Sequence, residues 1–267
     1  MAKDTQIYSL FMWCLLLCFS FTTYNRNHIW IEEIRIWEDV VKKTPNNARP
    51  HFNLASSYRG TGQIREAIGE YRTALNINPW YVDAYNNLGD IYYNMGQVED
   101  AIFEYKTAIR IKPDFEKAHN NLGNAFYMQG RIKEAMQEYE TSLRLKPDFE
   151  GSYINIGVAY KDQGRLDEAI DAFNKALKLK PDLAQAYYGL GNVYYLQSRS
   201  EEAIQAYTDA LKLNNKLAGA HNNIGLAYES LGRIDEAIRE YKGALSLEPE
   251  FIDARNNLLR ITKEYNR

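Results

Sequence analysis

Between residues 48 and 251 the apolar positions form two helical stripes that recur every 34 residues. Counting from Ala48, the first stripe occupies repeat positions 4, 7, 8 and 11. Steps of three, one and three keep side chains on one face of an α-helix. Position 7 is Leu54, Leu88, Leu122, Ile156, Leu190 and Ile224; position 8 is Ala55, Gly89, Gly123, Gly157, Gly191 and Gly225. Position 11 is a ring: Tyr58, Tyr92, Phe126, Tyr160, Tyr194 and Tyr228. The second stripe runs through positions 17, 20, 21, 24, 27 and 28, read in the second repeat as Val98, Ala101, Ile102, Tyr105, Ala108 and Ile109. Its position 20 is Ala67, Ala101, Ala135, Ala169, Ala203 and Ala237, and its position 24 is again a ring in every repeat. Between the stripes stand Gly62, Gly96, Gly130, Gly164 and Gly232, where a helix must end. An acid at position 19 complements the dipole of the helix that follows. Pro79, Pro113, Pro147, Pro181 and Pro249 stop that helix. The pattern predicts six helix pairs, at 48–81, 82–115, 116–149, 150–183, 184–217 and 218–251.

The agreement of so many positions in register resembles the tetratricopeptide repeat. That resemblance implies an all-α fold, a right-handed α-solenoid of six helix pairs, built to hold something rather than to catalyse. The fifth repeat departs from the pattern with Ser198, Ser200 and Asn215 in place of Gly, an apolar residue and Pro. A looser turn is expected there. Residues 252–267 read as the solvated capping helix that a solenoid needs at its end. Residues 29–47 read as a degenerate half repeat, with Ile29, Ile36, Trp37, Val40 and Val41 available for one apolar face and Trp37 at position 24.

Residues 1–28 read as a membrane anchor. Ile7 to Tyr24 is an 18-residue run without charge. As a helix it would reach roughly 27 Å, against roughly 30 Å of bilayer hydrocarbon. The expectation is a single-pass transmembrane helix with Tyr8 and Tyr24 near the interfaces. A cleaved signal peptide, giving a secreted or periplasmic protein, is the alternative, although Lys3–Asp4 is a weakly basic start and no small-x-small cleavage site stands out.

Thr23 to Trp30, followed by Ile36 to Pro50, is similar to a junction in large membrane proteins. There the last span of a glycosyltransferase-like region meets C-terminal tetratricopeptide repeats, as in the eukaryotic transmembrane-and-repeat mannosyltransferases. The resemblance implies repeats on the non-cytoplasmic side. The multi-span catalytic region has no counterpart in this sequence, and no Asp-x-Asp pair occurs in it. An accessory or split-off part of a membrane glycosyltransferase is therefore the second functional reading.

A net charge of −3 without a basic stripe argues against nucleic acid as a partner. Cys14 and Cys18 lie within the apolar run and say little about redox compartment. His51, His119 and His221 share repeat position 4 with Tyr85, Tyr153 and Tyr187, a structural slot rather than a metal site. Neither a cofactor nor a catalytic nucleophile is expected.

A ligand would lie along the first helix of each pair, on the face opposite the core. Position 6 there is Asn53, Asn87, Asn121, Asn155, Gly189 and Asn223. Side-chain amides at constant rise can match the backbone of an extended peptide, since each both donates and accepts. The series resembles the asparagine ladder in the repeats of O-linked N-acetylglucosamine transferases, with Gly189 breaking it. Asn86, Asp90, Tyr93, Asn120, Asn124, Tyr127 and Asn192 flank the ladder and suit partly polar binding. The alternative is that these amides bond locally. A carboxylate clamp for chaperone tails would need Lys at position 5, which no repeat has. The expected partner is thus a protein or peptide segment, with a membrane glycosyltransferase as the second candidate.

Overall fold

Each 34-residue period becomes two antiparallel helices, of 13 and 14 residues, in a computed structural model that describes residues 32–265. Helix α1 covers 32–43. The first helices of the pairs are α2 (Ala48–Gly60), α4 (Val82–Asn94), α6 (Glu116–Met128), α8 (Glu150–Asp162), α10 (Ala184–Leu196) and α12 (Ala218–Ser230). The second are α3 (Ile64–Ile77), α5 (Val98–Ile111), α7 (Ile132–Leu145), α9 (Leu166–Leu179), α11 (Ser200–Leu213) and α13 (Ile234–Leu247), and α14 (Ile252–Tyr265) follows them. Among the described residues every regular element is an α-helix, arranged as a tetratricopeptide-type helical repeat. The helices fall into two compact units, Met1–Pro113 with α1 to α5 and Asp114–Arg267 with α6 to α14.

Within each unit the pairs close on the two predicted stripes. The alanines at position 20 are fully buried, and the rings Tyr71, Tyr105, Tyr139, Phe173, Tyr207 and Tyr241 are at most 1% exposed. Such rings fit because position 8 is small. A Cβ on Gly89, Gly123, Gly157, Gly191 or Gly225 would lie 2.5–2.8 Å from a ring carbon of the partner helix. The small residue and the ring are therefore one packing device.

The turns repeat as closely as the core. Gly62, Gly96, Gly130, Gly164 and Gly232 have φ between 72° and 79°. In the fifth repeat Ser198 takes the same left-handed conformation at φ 60°. Its turn keeps the bonds of its neighbours: Ser198 N–H to the Tyr195 carbonyl and Arg199 N–H to that of Tyr194, both 2.9 Å. The expected loosening is absent. The departure from Gly is instead borne as backbone strain, about 1–2 kcal/mol for a residue with a Cβ. Ser200, in an apolar position, is buried and shares a 2.7 Å hydrogen bond with Ser230, which satisfies both hydroxyls.

In the second unit an arginine clasps each turn. Arg131, Arg165, Arg199 and Arg233 lie 4.1–4.5 Å from the ring centroids of Phe126, Tyr160, Tyr194 and Tyr228. Each also pairs with the position-19 acid, as Arg165 does with Glu168 at 2.9 Å and Arg233 with Glu236 at 3.0 Å. That acid serves an ion pair as well as the helix dipole.

The N-terminal expectations fare differently. On α1, Ile34 is buried and Trp37, Val40 and Val41 are half-buried, but Ile36 is exposed. Ile36 occupies repeat position 23, outside the stripe, whereas Ile34 occupies position 21 within it. The apolar run from Ile7 to Tyr24 lies outside the described residues. Among the described residues no helix is long and apolar enough to cross a membrane.

Candidate functional site

The first helices of the pairs carry the predicted ligand face, and its side chains are bonded to one another. In the first unit Asn87 donates Nδ2 to the Tyr71 hydroxyl at 3.2 Å, and that hydroxyl also shares a 2.9 Å bond with Ser56. Asp90 accepts from the Tyr105 hydroxyl at 2.9 Å and faces Arg59 at 3.6 Å. Burial raises the Asp90 pKa, opposed by Tyr105 and Arg59. Asn86 is buried, while Asn53 and Tyr93 are half-buried; burial likewise raises the Tyr93 pKa. Phe52 stacks on Tyr81 with ring centroids 4.7 Å apart.

In the second unit Asn120 is buried, and its Oδ1 accepts from Asn155 Nδ2 and from Ser152, each at 2.9 Å. Its own Nδ2 donates to Asn121 Oδ1 at 3.3 Å. Tyr127 donates to Asp162. Asn223 donates to the Tyr188 hydroxyl and to Asn192 Oδ1, both at 3.1 Å. Asn257, one period beyond Asn223, donates to Asn222 Oδ1 at 3.0 Å.

A rule emerges that links the face to the core. The position-24 ring, when it is Tyr, sends its hydroxyl to position 9 of its own repeat. The pairs are Tyr71 with Ser56, Tyr105 with Asp90, Tyr139 with Asn124 and Tyr207 with Asn192, at 2.8–2.9 Å. In the fourth repeat the ring is Phe173 and position 9 is Val158, so no acceptor is needed. In the sixth, position 9 is Leu226, and Tyr241 turns to Glu229 at 2.8 Å instead. Asp90, Asn124 and Asn192 thus satisfy hydroxyls whose ring is buried. The signal was a co-occurrence fifteen residues apart, Tyr with an acceptor and Phe with Val.

A second such rule sits on the opposite side. His51, His119 and His221 at position 4 meet Glu70, Glu138 and Glu240 at position 23, at 2.5, 2.6 and 2.7 Å. Where position 4 is Tyr153 or Tyr187, position 23 of the same repeat is Ala172 or Ala206. The second repeat breaks the pairing, with Tyr85 and Glu104. Glu104 Oε2 is buried without a hydrogen-bond partner. Burial pushes its pKa up to about 7, against the pull of Arg72 and with a push from Asp100. The folded carboxyl keeps its proton up to that pH, while the unfolded one loses it near 4.5. The folded state therefore binds more protons between these values, and stability falls as pH rises through them. Glu104→Gln is expected to remove that slope and to stabilise the protein at pH 8 by about 1 kcal/mol, allowing for solvent screening of a side chain that is only partly buried. Urea unfolding at pH 4.5, 6 and 8 measures it, and an unchanged slope would refute the assignment.

One hollow on this face lies wholly in the second unit, where the asparagine series is interrupted. A cleft of about 650 Å³ is lined by Ile154, Val158, Phe173, Tyr188, Gly189 and Leu217, with Lys161 and Lys216 also on its walls. Asn155 and Asn192 of the predicted ligand face also line it, and Gly189 is the gap in the series. Among the described residues no cluster of His, Cys, Asp and Glu could hold a metal ion.

A family model described as the cilia and flagella-associated protein 70 C-terminal domain matches residues 80–267, and a tetratricopeptide repeat model matches 55–96. Protein O-mannosyl-transferase TMTC1 of Homo sapiens, and likewise that of Mus musculus, is 39% identical over 72 residues, 27% of this chain. That stretch spans 8% of those proteins' length and lies in their repeat region. Among solved structures, the APC/C hetero-tetramer Cut9-Hcn1 superposes with a TM-score of 0.80 over 88% of this chain and 46% of the other, at 23% identity. MamA protein is 30% identical with a TM-score of 0.52, covering 63% of this chain and 92% of its own. The likeness to Cut9-Hcn1 is one of fold.

Proposed function

We propose a scaffold role for this chain, which belongs to the family of the cilia and flagella-associated protein 70 C-terminal domain and is built of tetratricopeptide repeats: its first helices hold an extended protein segment. The observation that carries the proposal is the fixing of the position-6 amides by their own neighbours. An amide offers two hydrogens and an oxygen with two lone pairs. The bonds from Asn87 to Tyr71 and from Asn155 to Asn120 use one hydrogen each. They hold each side chain in one orientation while leaving its other groups for a ligand. Binding then costs little side-chain entropy, the usual gain of preorganisation. Asn53 then serves with Asn87 in the first unit and Asn121 and Asn223 serve with Asn155 in the second, flanked by Asn86, Asp90 and Tyr93 in the first and by Asn120, Asn124, Tyr127 and Asn192 in the second. In this reading residues 7–24 anchor the scaffold in a membrane as a single span, with the repeats on the non-cytoplasmic side.

The test is a crosslinking capture from detergent-solubilised membranes, comparing the natural chain with the triple Asn87→Ala, Asn121→Ala, Asn155→Ala variant. A partner that binds at least tenfold more weakly to the variant, with the helical circular dichroism retained, supports the groove. Undiminished capture by the folded variant sinks it.

A second reading draws on the 39% identity to an O-mannosyl-transferase. Here the chain is a non-catalytic accessory of a membrane glycosyltransferase. Recovery of such an enzyme in the same capture, with loss of glycosylation when this chain is deleted, favours it. N-terminal sequencing of the mature protein separates an anchor from a cleaved signal.

A further inference from the structure

Position 23 is Glu in the first, second, third and sixth repeats, and in all but the second a histidine at position 4 meets it. In the second repeat Tyr85 stands in the histidine's place, and Glu104 Oε2 is buried without a hydrogen bond. A carboxyl oxygen so placed favours the neutral acid, because an ionised one would be deprived of both water and a donor. Burial accordingly raises the Glu104 pKa to about 7.

The cation that acts on this carboxyl is Arg72 of α3, which draws it toward the ionised form, while Asp100 of α5 opposes it. Arg72 is engaged elsewhere: its Nη2 donates to the Tyr92 hydroxyl at 2.7 Å. The other charged groups of these helices are occupied or lie in water. On α3, Glu70 is held by His51, and Arg65 and Glu66 are exposed. On α4, the helix packed against α5, Asp90 is bonded to Tyr105 and Asp83 is exposed, leaving the hydroxyls of Tyr85, Tyr92 and Tyr93 as its other titratable groups. On α5, Glu99, Lys106 and Arg110 are exposed.

Arg72 therefore has two acceptors to choose between. A guanidinium bond to an ionised carboxylate is charge-assisted and roughly twice as strong as one to a neutral hydroxyl. A neutral acid offers no such gain. The observed arrangement, with Arg72 on Tyr92 and Oε2 unmet, is the one that suits a protonated Glu104. Arg72 is exposed, so it can change partner without opening the core. The bond at stake crosses a repeat boundary. Tyr71 and Arg72, adjacent on α3, both bond to α4, the first through Asn87 and the second through Tyr92.

We infer that Glu104 is a proton-controlled competitor for Arg72: with its proton it leaves Arg72 on Tyr92, tying the first repeat to the second, and without it draws Arg72 away and loosens that joint. The device concerns the joint itself and stands whether or not the face binds a segment.

The probe is the Tyr92 ring, followed by nuclear magnetic resonance in the full chain labelled with carbon-13 at tyrosine Cζ. Its signal, assigned by its absence in Tyr92→Phe, is expected to move between pH 5 and pH 8 with a midpoint at about 7. It should stay fixed in Glu104→Gln, which cannot ionise, and in Arg72→Met, which lacks the bond at every pH. Amide exchange in α4 at pH 8 should be at least threefold faster in the natural chain than in Glu104→Gln, and equal in the two at pH 5. Tyr92→Phe should show the faster exchange at both pH values. Circular dichroism establishes that the variants remain folded. A Tyr92 signal that does not move overturns the competition. So does one that moves as far in Arg72→Met, since the charge of Glu104 then acts on the ring directly. Equal exchange at pH 8 in the natural chain and Glu104→Gln overturns the loosening of the joint.

Discussion

Gly123→Leu is expected to destabilise the second unit by about 3 kcal/mol or more, lowering its melting temperature by several degrees. The first added carbon would sit 2.5 Å from Tyr139 Cε1, and the remainder of the side chain would have to occupy the ring itself. Tyr139 cannot withdraw cheaply. It is 1% exposed, and its hydroxyl is bonded to Asn124 at 2.9 Å. Displacing the ring therefore opens the core and breaks a bond made at the ligand face. Gly123→Ala should cost much less, about 1 kcal/mol, because the first repeat already carries Ala55 at this position beside Tyr71. Differential scanning calorimetry of both variants is the measurement. Equal melting temperatures for the natural chain and Gly123→Leu would show that positions 8 and 24 do not meet as described.

Ile261→Asp is expected to release the closing helix, at a cost of about 4 kcal/mol. Ile261 is 2% exposed and joins Ala237 and Tyr241 in the last apolar cluster, with Leu258 beside it. A carboxylate there would be buried without a partner. α14 is also attached by Asn257, which donates to Asn222 Oδ1 at 3.0 Å, and by Arg260, which grips Glu229 with both nitrogens at 2.6 and 2.9 Å. That pair lies at the surface and cannot hold the helix alone. Leu259→Asp is the control: it makes the same chemical change on the same helix, at a residue 51% exposed. Trypsin cleavage at Arg255 and Arg260 should become rapid in Ile261→Asp and stay slow in Leu259→Asp. Slow cleavage in both would mean that α14 is not held by its apolar face.

These two positions mark what the sequence makes legible. A glycine and a ring recurring in step with the helical period could be read directly, because each repeat restates the same contact. So could the closing helix, whose stripe continues the pattern after Phe251. The role of the polar face was harder to read. Asp90, Asn124 and Asn192 look like ligand residues when their surroundings are unknown. Only the direction of the Tyr105, Tyr139 and Tyr207 hydroxyls shows that each also serves the core. Ser198 misled in the opposite sense, since a serine can adopt the turn of a glycine when the flanking helices impose it. The cleft was marked only piecemeal, by Gly189 as a gap and by Phe173 with Val158 as a departure from the Tyr-and-acceptor pairing. Its walls come from three repeats, and no period announces a feature that occurs once.

The helix starts carry a consequence for how the chain comes off the ribosome. Asn47 caps α2 by accepting from the Arg49 N–H at 3.2 Å. From α3 to α13 no helix has a side-chain cap at its N-terminus. Helices of 13 or 14 residues without such help are marginal in water. Each emerging pair must then wait for a neighbour before its order lasts, so ordering trails synthesis by about one repeat. In the second unit the pair α12 and α13 stays exposed to chaperones and proteases until α14, which follows it, has docked.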